Sequence, residues 1–72
     1  MSHIILAKRE ALCRFRQAGD DHLAGLILTD LGDAHSCLGE TAAADEAWRE
    51  ALALLDNVRH PDAEKVRARL AH

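Results

Sequence analysis

The sequence has few of the residue types that build β-sheets. Only 3% of its 72 residues are aromatic, there is no tyrosine, and valine and isoleucine together fill only a handful of positions. Aromatic and β-branched side chains fit the pleated surface of a sheet, whereas alanine and leucine, which supply most of the hydrophobic content, favour helices. The composition therefore predicts an all-α fold and excludes an all-β or α/β fold.

The sequence also lacks a long apolar run and an excess of basic charge. A membrane-spanning helix needs about 20 consecutive apolar residues, and the stretch at residues 4–7 is far shorter. Twelve acidic residues outnumber nine basic ones, and the resulting net charge of −3 has the wrong sign for binding a phosphate backbone. We therefore expect a cytoplasmic protein with no membrane segment and no nucleic-acid partner.

Patterns typical of metal sites and of catalysis are missing too. No Cys-x-x-Cys or His-x-x-x-His pair occurs, and residues two apart on a helix, such as His35 and Cys37, point about 200° away from each other. There is no glycine-rich phosphate loop, and Asp30 and Asp33 are expected on a solvated face. We therefore expect no enzymatic activity, no metal, no cofactor and two buried, reduced cysteines. The residues of the chain that could serve as metal ligands of this kind are His3, Cys13, His22, His35, Cys37, His60 and His72.

What the sequence does contain is helical periodicity interrupted by turn residues. Clusters at residues 19–21, 39–41 and 57–61 divide the chain into four helical segments, with Gly19 and Gly39 at helix-terminating positions and Thr41 as an N-cap. Short connections make successive helices antiparallel neighbours, so we expect helical hairpins. The apolar stripes predict a core of Ala24, Ile27, Leu28, Leu31, Ala34, His35 and Leu38 in the second helix, Ala44, Ala47, Trp48, Ala51, Leu52 and Leu55 in the third, and Ala63, Val66 and Leu70 in the fourth.

The second and third helices carry a further pattern of small and aromatic residues. A Leu31-Gly32 pair is followed by Ala44, by Trp48 four residues later and by Ala51 three after that. This segment resembles a tetratricopeptide repeat, which implies an α-solenoid fragment of about four helices in which a glycine lets paired helices approach and the aromatic residue fills the space between hairpins. The repeat-defining residues are Leu28, Leu31, Gly32, His35, Ala44, Trp48 and Ala51.

The resemblance extends over a single domain of residues 1–72. Residues 22–57 resemble a full repeat, residues 3–18 the closing helix of a preceding repeat, and residues 61–71 a terminal capping helix. The segments Leu-Gly-Asp-Ala-His and His-Pro-Asp-Ala are similar to those in the C-terminal arrays of bacterial signalling ATPases and antibiotic-regulatory transcription activators. This likeness implies a partner-binding tail of a larger regulator.

Two surfaces follow from this resemblance. The first helix of each tetratricopeptide unit lines a concave groove, and Asp30 and Asp33 beside Leu26 favour a basic or amphipathic peptide there; a plain solvated face is the alternative. The groove residues are His22, Leu26, Thr29, Asp30, Asp33, Ser36 and Cys37.

The second surface lies on the first helix, where a longer array would place an earlier repeat. About three repeats are usually needed for stability, so we expect a second copy of the chain to cover this surface in a homo-oligomer. Two alternatives stay open: a purely self-associating module with no groove ligand, and a small nucleic-acid binder that uses the basic fourth helix. The self-association residues are Ile4, Ile5, Leu6 and Phe15.

Overall fold

The computed structural model describes residues 3–71 and the side chains of residues 5–71. These residues form four helices and no strand, so the predicted all-α fold of antiparallel helices is confirmed. The helix ends lie within about two residues of those expected from the turn signals. The helices are α1 (His3–Gln17), α2 (Asp21–Cys37), α3 (Thr41–Asn57) and α4 (Asp62–Leu70).

The helices pack in chain order. α1 packs on α2, the most extensive interface joins α2 and α3, and α4 packs on α3. The result is a flat layer that measures 30 × 29 × 14 Å along its principal axes. Packing of each helix mainly against its sequence neighbours is typical of solenoid arrays. None of the four described helices is long and apolar enough to cross a bilayer.

The three interhelical turns share one backbone conformation, and they recur at equal spacing along the chain. Each has a residue with positive φ, namely Gly19 (73°), Gly39 (77°) and Arg59 (53°). In each turn the N–H of the next residue donates to the carbonyl of the residue five positions before it, at 2.9 Å, which is the longer bond of the Schellman motif. The glycine terminators predicted at the first two turns are confirmed, whereas the third turn holds an arginine in the left-handed region.

The helix N-termini follow from these turns, and one prediction was wrong. The side chain of Asp20 caps α2 by accepting from the Leu23 N–H at 3.1 Å. Thr41, predicted as the N-cap of α3, is instead its first helical residue, because the shared turn places Glu40 at the cap. Glu40 makes no capping hydrogen bond, and its carboxylate lies 2.6 Å from Nδ1 of His35.

The core lies between α2 and α3 and is closed by α4. Gly32 has no side chain, so the indole of Trp48 lies directly on the backbone of α2; a Cβ at Gly32 would overlap the ring. At Gly25 a Cβ would meet the Leu55 side chain at 2.8 Å. The buried residues are Ala24, Leu28, Leu31 and His35 of α2, Ala44, Trp48, Ala51 and Leu55 of α3, and Ala63 and Val66 of α4.

The edges of the predicted core are more exposed than expected. Leu38 is 49% exposed because it is the C-cap of α2, where the chain turns away from the core. Ile27, Ala34, Ala47 and Leu52 are half-buried. Leu70, near the end of α4, is half-buried as well. The helical periodicity therefore identified the buried centre of each stripe, while residues at the margins of the stripes and at the helix ends stay partly exposed.

Candidate binding groove

An open groove of about 340 Å³ lies between α2 and α4. It exists because α2 and α4 both pack toward the middle helix α3, which leaves their exposed faces side by side on one surface of the layer. Four of the residues predicted from the concave face of the second helix meet here. The lining residues are Leu26, Thr29, Asp30 and Asp33 of α2 with Asp62, Lys65 and Arg69 of α4.

The other predicted groove residues lie elsewhere on α2. His22, in the first turn, stacks on His60 just before α4, with ring centroids 4.3 Å apart and planes at 30°. Ser36 and Cys37 are exposed in the last turn of α2 and do not line the groove. α4 has nine residues against 17 in α2, so the groove covers only part of the longer helix.

Asp33 contacts side chains of two other helices. Its Oδ1 accepts from Nε of Arg69 at 2.8 Å and its Oδ2 from Nη2 of the same guanidinium at 3.2 Å. Oδ1 also accepts from the indole N–H of Trp48 at 3.2 Å. A single carboxylate on α2 is thereby joined to both α3 and α4. The sequence predicts Asp33 on a concave face but does not predict this ion pair, because Arg69 stands 36 residues further along the chain.

The remaining acidic residues of the groove also face cations of the same chain. Lys8 of α1 lies 3.4 Å from a carboxylate oxygen of Asp30, and Lys65 lies 3.5 Å from one of Asp62. Cations of the same chain therefore neutralise the acidic residues predicted for the groove. A basic ligand has to compete with these cations rather than fill an empty acidic surface.

The uncharged lining of the groove is small. The hydroxyl of Thr29 donates to the carbonyl of Gly25, one turn earlier in the same helix, at 2.9 Å. Leu26 is half-buried and supplies the apolar contact. The groove thus offers one apolar position flanked by charges of both signs, which suits an amphipathic segment better than a uniformly charged one.

A second groove, of about 200 Å³, lies on the other side of α2, between α1 and α3. Its floor includes the buried Leu28 and Leu31, and one end is bridged by the ion pair of Arg16 with Glu50. Arginines of α1 form one rim and glutamates of α3 the other. It contains none of the residues predicted for partner binding. The full lining is Arg9, Leu12, Arg16, Leu28, Leu31, His35, Ala43, Glu46, Ala47 and Glu50.

The predicted self-association residues have different environments. Ile5 is half-buried against the core and Phe15 is half-buried as well. Leu6 is 61% exposed, the largest exposed fraction among the large hydrophobic residues that the structure describes. The side chain of Ile4 lies outside the described residues. Leu6 is therefore the described residue of this set that is best placed to contact another molecule.

The candidate metal ligands stay apart. Cys13 and Cys37 are free thiols, and the expected burial of the cysteines is wrong: both are exposed, because their positions fall outside the apolar stripes that pack between the helices. Over the part of the chain that the structure describes, no three histidine, cysteine or acidic side chains are arranged to hold a metal ion. The side chain of His3, and His72 as a whole, lie outside the described residues.

Comparison of the chain with protein-family models, with curated proteins and with solved structures gives no match.

Proposed function

We propose that the chain is a non-catalytic protein-recognition module that binds a peptide segment along the groove between α2 and α4. The observation that carries the proposal is the groove itself, where Leu26 supplies an apolar contact and Asp30, Asp33, Lys65 and Arg69 supply charges of both signs. A peptide laid along two adjacent helices meets hydrophobic and ionic partners at fixed spacing, which gives both affinity and orientation.

Two further features support this function. The helices pack mainly in chain order, as repeats do in arrays that display an extended binding face. Gly32 gives α2 and α3 room to approach, as the tetratricopeptide resemblance implies, although Trp48 lies on Gly32 within this hairpin rather than between hairpins. The same resemblance is the ground for proposing that the chain acts in the cytoplasm as the C-terminal part of a bacterial transcriptional or signalling regulator.

The test is a peptide selection with groove variants. Peptides selected from a random library on the wild-type chain are expected to lose at least tenfold in affinity for Leu26→Glu and for Asp30→Lys. Asp30 suits this purpose because its side chain is 60% exposed. Asp33→Lys does not, since Asp33 also accepts from Trp48 and Arg69 and its loss would disturb the packing of three helices.

The matched control is Glu46→Lys. It makes the same change of charge on α3, beside the groove on the opposite side of α2, and binding should be retained. Selected peptides that bind all of these variants equally would contradict the assignment of the site, and failure to select any peptide would contradict the proposed function.

Self-association is the second candidate function, and the exposure of Leu6 favours it. Contacts between copies through α1 would leave the groove between α2 and α4 open, so the two functions are separable by mutation. Leu6 serves as the test position for self-association, and Asp30 for peptide binding.

A further inference from the structure

We propose that the Asp33 carboxylate is a guanidinium-binding subsite whose internal occupant is Arg69, and that an arginine of the bound segment takes the place of Arg69. The inference rests on the proposed function and deepens it, because it names the side chain that the groove recognises. It also assigns Arg69 the role of an intramolecular competitor that weakens binding.

The geometry at Asp33 suits arginine in particular. Both carboxylate oxygens accept from the Arg69 guanidinium, at 2.8 and 3.2 Å, in a two-point arrangement that the planar fork of arginine matches and the single ammonium of lysine does not. The indole N–H of Trp48 donates to the same carboxylate from α3 and fixes its orientation. The subsite is thus held in place by contacts that do not depend on Arg69.

The Arg69 side chain can leave this position while α4 stays packed. It lies in the last turn of α4 and its side chain is 35% exposed. α4 is anchored separately by the buried Ala63 and Val66, and Arg67 pairs with Asp56 of α3 at 2.8 Å. Arg69 also donates to the carbonyl of Lys65, within α4, at 3.2 Å. Rotation of its side chain exchanges these hydrogen bonds for bonds to water and opens the subsite without detaching the helix.

The other acidic residues of the groove do not provide an equivalent subsite. Asp30 has a single contact with Lys8, at 3.4 Å, and Asp62 pairs with Lys65 within α4. Among the described residues, no buried side chain donates to either carboxylate as Trp48 donates to Asp33. A ligand arginine is consequently expected to bind first at Asp33, with its apolar neighbours against Leu26.

How strongly Arg69 competes with a ligand arginine depends on the solvent exposure of the Asp33–Arg69 ion pair. Half-exposed ion pairs favour the paired state by up to about fivefold. A ligand that needs Asp33 unoccupied then binds more weakly by nearly the same factor, because only a fraction of molecules is competent at any moment. Removal of Arg69 should therefore raise the affinity for an arginine peptide by roughly fivefold.

Trp48 provides the readout. It is the only tryptophan of a chain without tyrosine, and its N–H donates to the subsite. The probe is a blocked amphipathic peptide of leucine, alanine and two arginines, with a second peptide in which lysine replaces each arginine. Both are titrated at fixed ionic strength into wild type, Arg69→Gln, Arg69→Lys and Arg67→Gln, and followed by Trp48 fluorescence and by the backbone amide shifts of α2.

The Arg67→Gln variant is the matched control, because it removes the same charge from the same helix at a residue that pairs with Asp56 and Glu64 outside the groove. We expect Arg69→Gln to bind the arginine peptide about fivefold more tightly than wild type. Arg69→Lys should show a smaller gain in affinity, and Arg67→Gln none. The lysine peptide should bind every variant more weakly than the arginine peptide does.

If wild type binds the arginine peptide and Arg69→Gln binds it no more tightly, the inference is overturned while the proposed function stands. If neither peptide binds any variant, the inference and the proposed preference for a basic segment both fail. Circular dichroism of each variant shows whether the helices are intact. If Arg69→Gln loses its helices, the comparison of Arg69→Lys with wild type decides the question. An affinity of Arg69→Lys for the arginine peptide no higher than that of wild type then overturns the inference.

Discussion

Gly32 and Trp48 are in direct contact across the interface of α2 and α3, with the indole ring lying where a side chain of residue 32 would begin. The contact has two consequences. It lets the two helices approach closely enough to bury Ala44 and Ala51. It also holds the indole N–H against Asp33, one residue further along α2, so the packing of the core and the orientation of the groove carboxylate share one origin.

Gly32→Ala is expected to destabilise the fold by about 2 kcal/mol, because the added methyl group forces the indole ring out of a closely packed site. The higher helix propensity of alanine offsets part of the cost. Thermal unfolding followed by circular dichroism should show a fall of about 10 °C in the midpoint.

The matched control for this substitution is Ser36→Ala, at an exposed position in the same helix, where propensity acts without any clash. A Gly32→Ala variant as stable as the control would show that the indole does not lie on the α2 backbone.

Arg59→Gly is expected to stabilise the chain by about 1 kcal/mol. Arg59 holds φ at 53°, in the left-handed region that strains residues with a Cβ and that glycine adopts freely. The equivalent positions of the other two turns already carry glycine. Chemical denaturation should give a higher midpoint with an unchanged slope.

The reverse substitution provides the comparison. At Gly39 a Cβ would meet no atom within 4 Å, so Gly39→Ala tests backbone strain alone and should cost about 1 kcal/mol. Opposite signs for Arg59→Gly and Gly39→Ala would establish that the second and third turns are equivalent; equal signs would refute it.

His60 makes two separable contacts at the start of α4, one within the turn and one to α2. Its Nδ1 accepts from the N–H of Asp62 at 3.0 Å, and its ring stacks on His22. His60→Ala should cost about 1 to 2 kcal/mol because it removes both contacts, and His22→Ala less than about 1 kcal/mol because it removes only the stack.

His60→Asn separates the two contributions. The asparagine carbonyl can accept from the N–H two residues later, as in an Asx turn, so this variant should resemble His22→Ala in its free energy of unfolding. If His60→Asn is as unstable as His60→Ala, the hydrogen bond to Asp62 contributes nothing. The double variant with His22→Ala measures the coupling between the two rings.

The sequence predicted what depends on local chemistry. Leucine and alanine at helical spacing identified the four helices, and Gly19 and Gly39 located two turns, because their effects act within a few residues along the chain. Trp48 was correctly placed in the core. Thr41 was wrongly predicted as the N-cap of α3. Its residue type favours a capping position, but the geometry of the turn places Glu40 there instead.

The groove was predictable only in part, for a reason of distance along the chain. Leu26, Thr29, Asp30 and Asp33 lie on one face of one helix, so their periodicity was visible. The Arg69 and Lys8 partners of Asp33 and Asp30 stand 36 and 22 residues away. No local pattern predicts such ion pairs. Because of them, cations of the same chain neutralise the carboxylates of the groove, which is therefore not an acidic surface.

Leu6→Glu tests self-association of the chain through α1. Leu6 is 61% exposed, and a half-buried Ile5 stands beside it. If a second copy covers this residue, glutamate would bury a charge in the interface, which costs several kcal/mol unless the charge is paired. Sedimentation equilibrium over a wide concentration range should therefore show a wild-type dimer and a Leu6→Glu monomer with the same helical content.

The control for this test is Val58→Glu, which places the same charge on another exposed hydrophobic residue, 45% exposed, at the C-cap of α3. It should leave the dimer intact. A wild-type chain that stays monomeric at the highest concentration excludes self-association in solution. Dimers that dissociate with Val58→Glu but persist with Leu6→Glu would place the interface at the end of α3 rather than on α1.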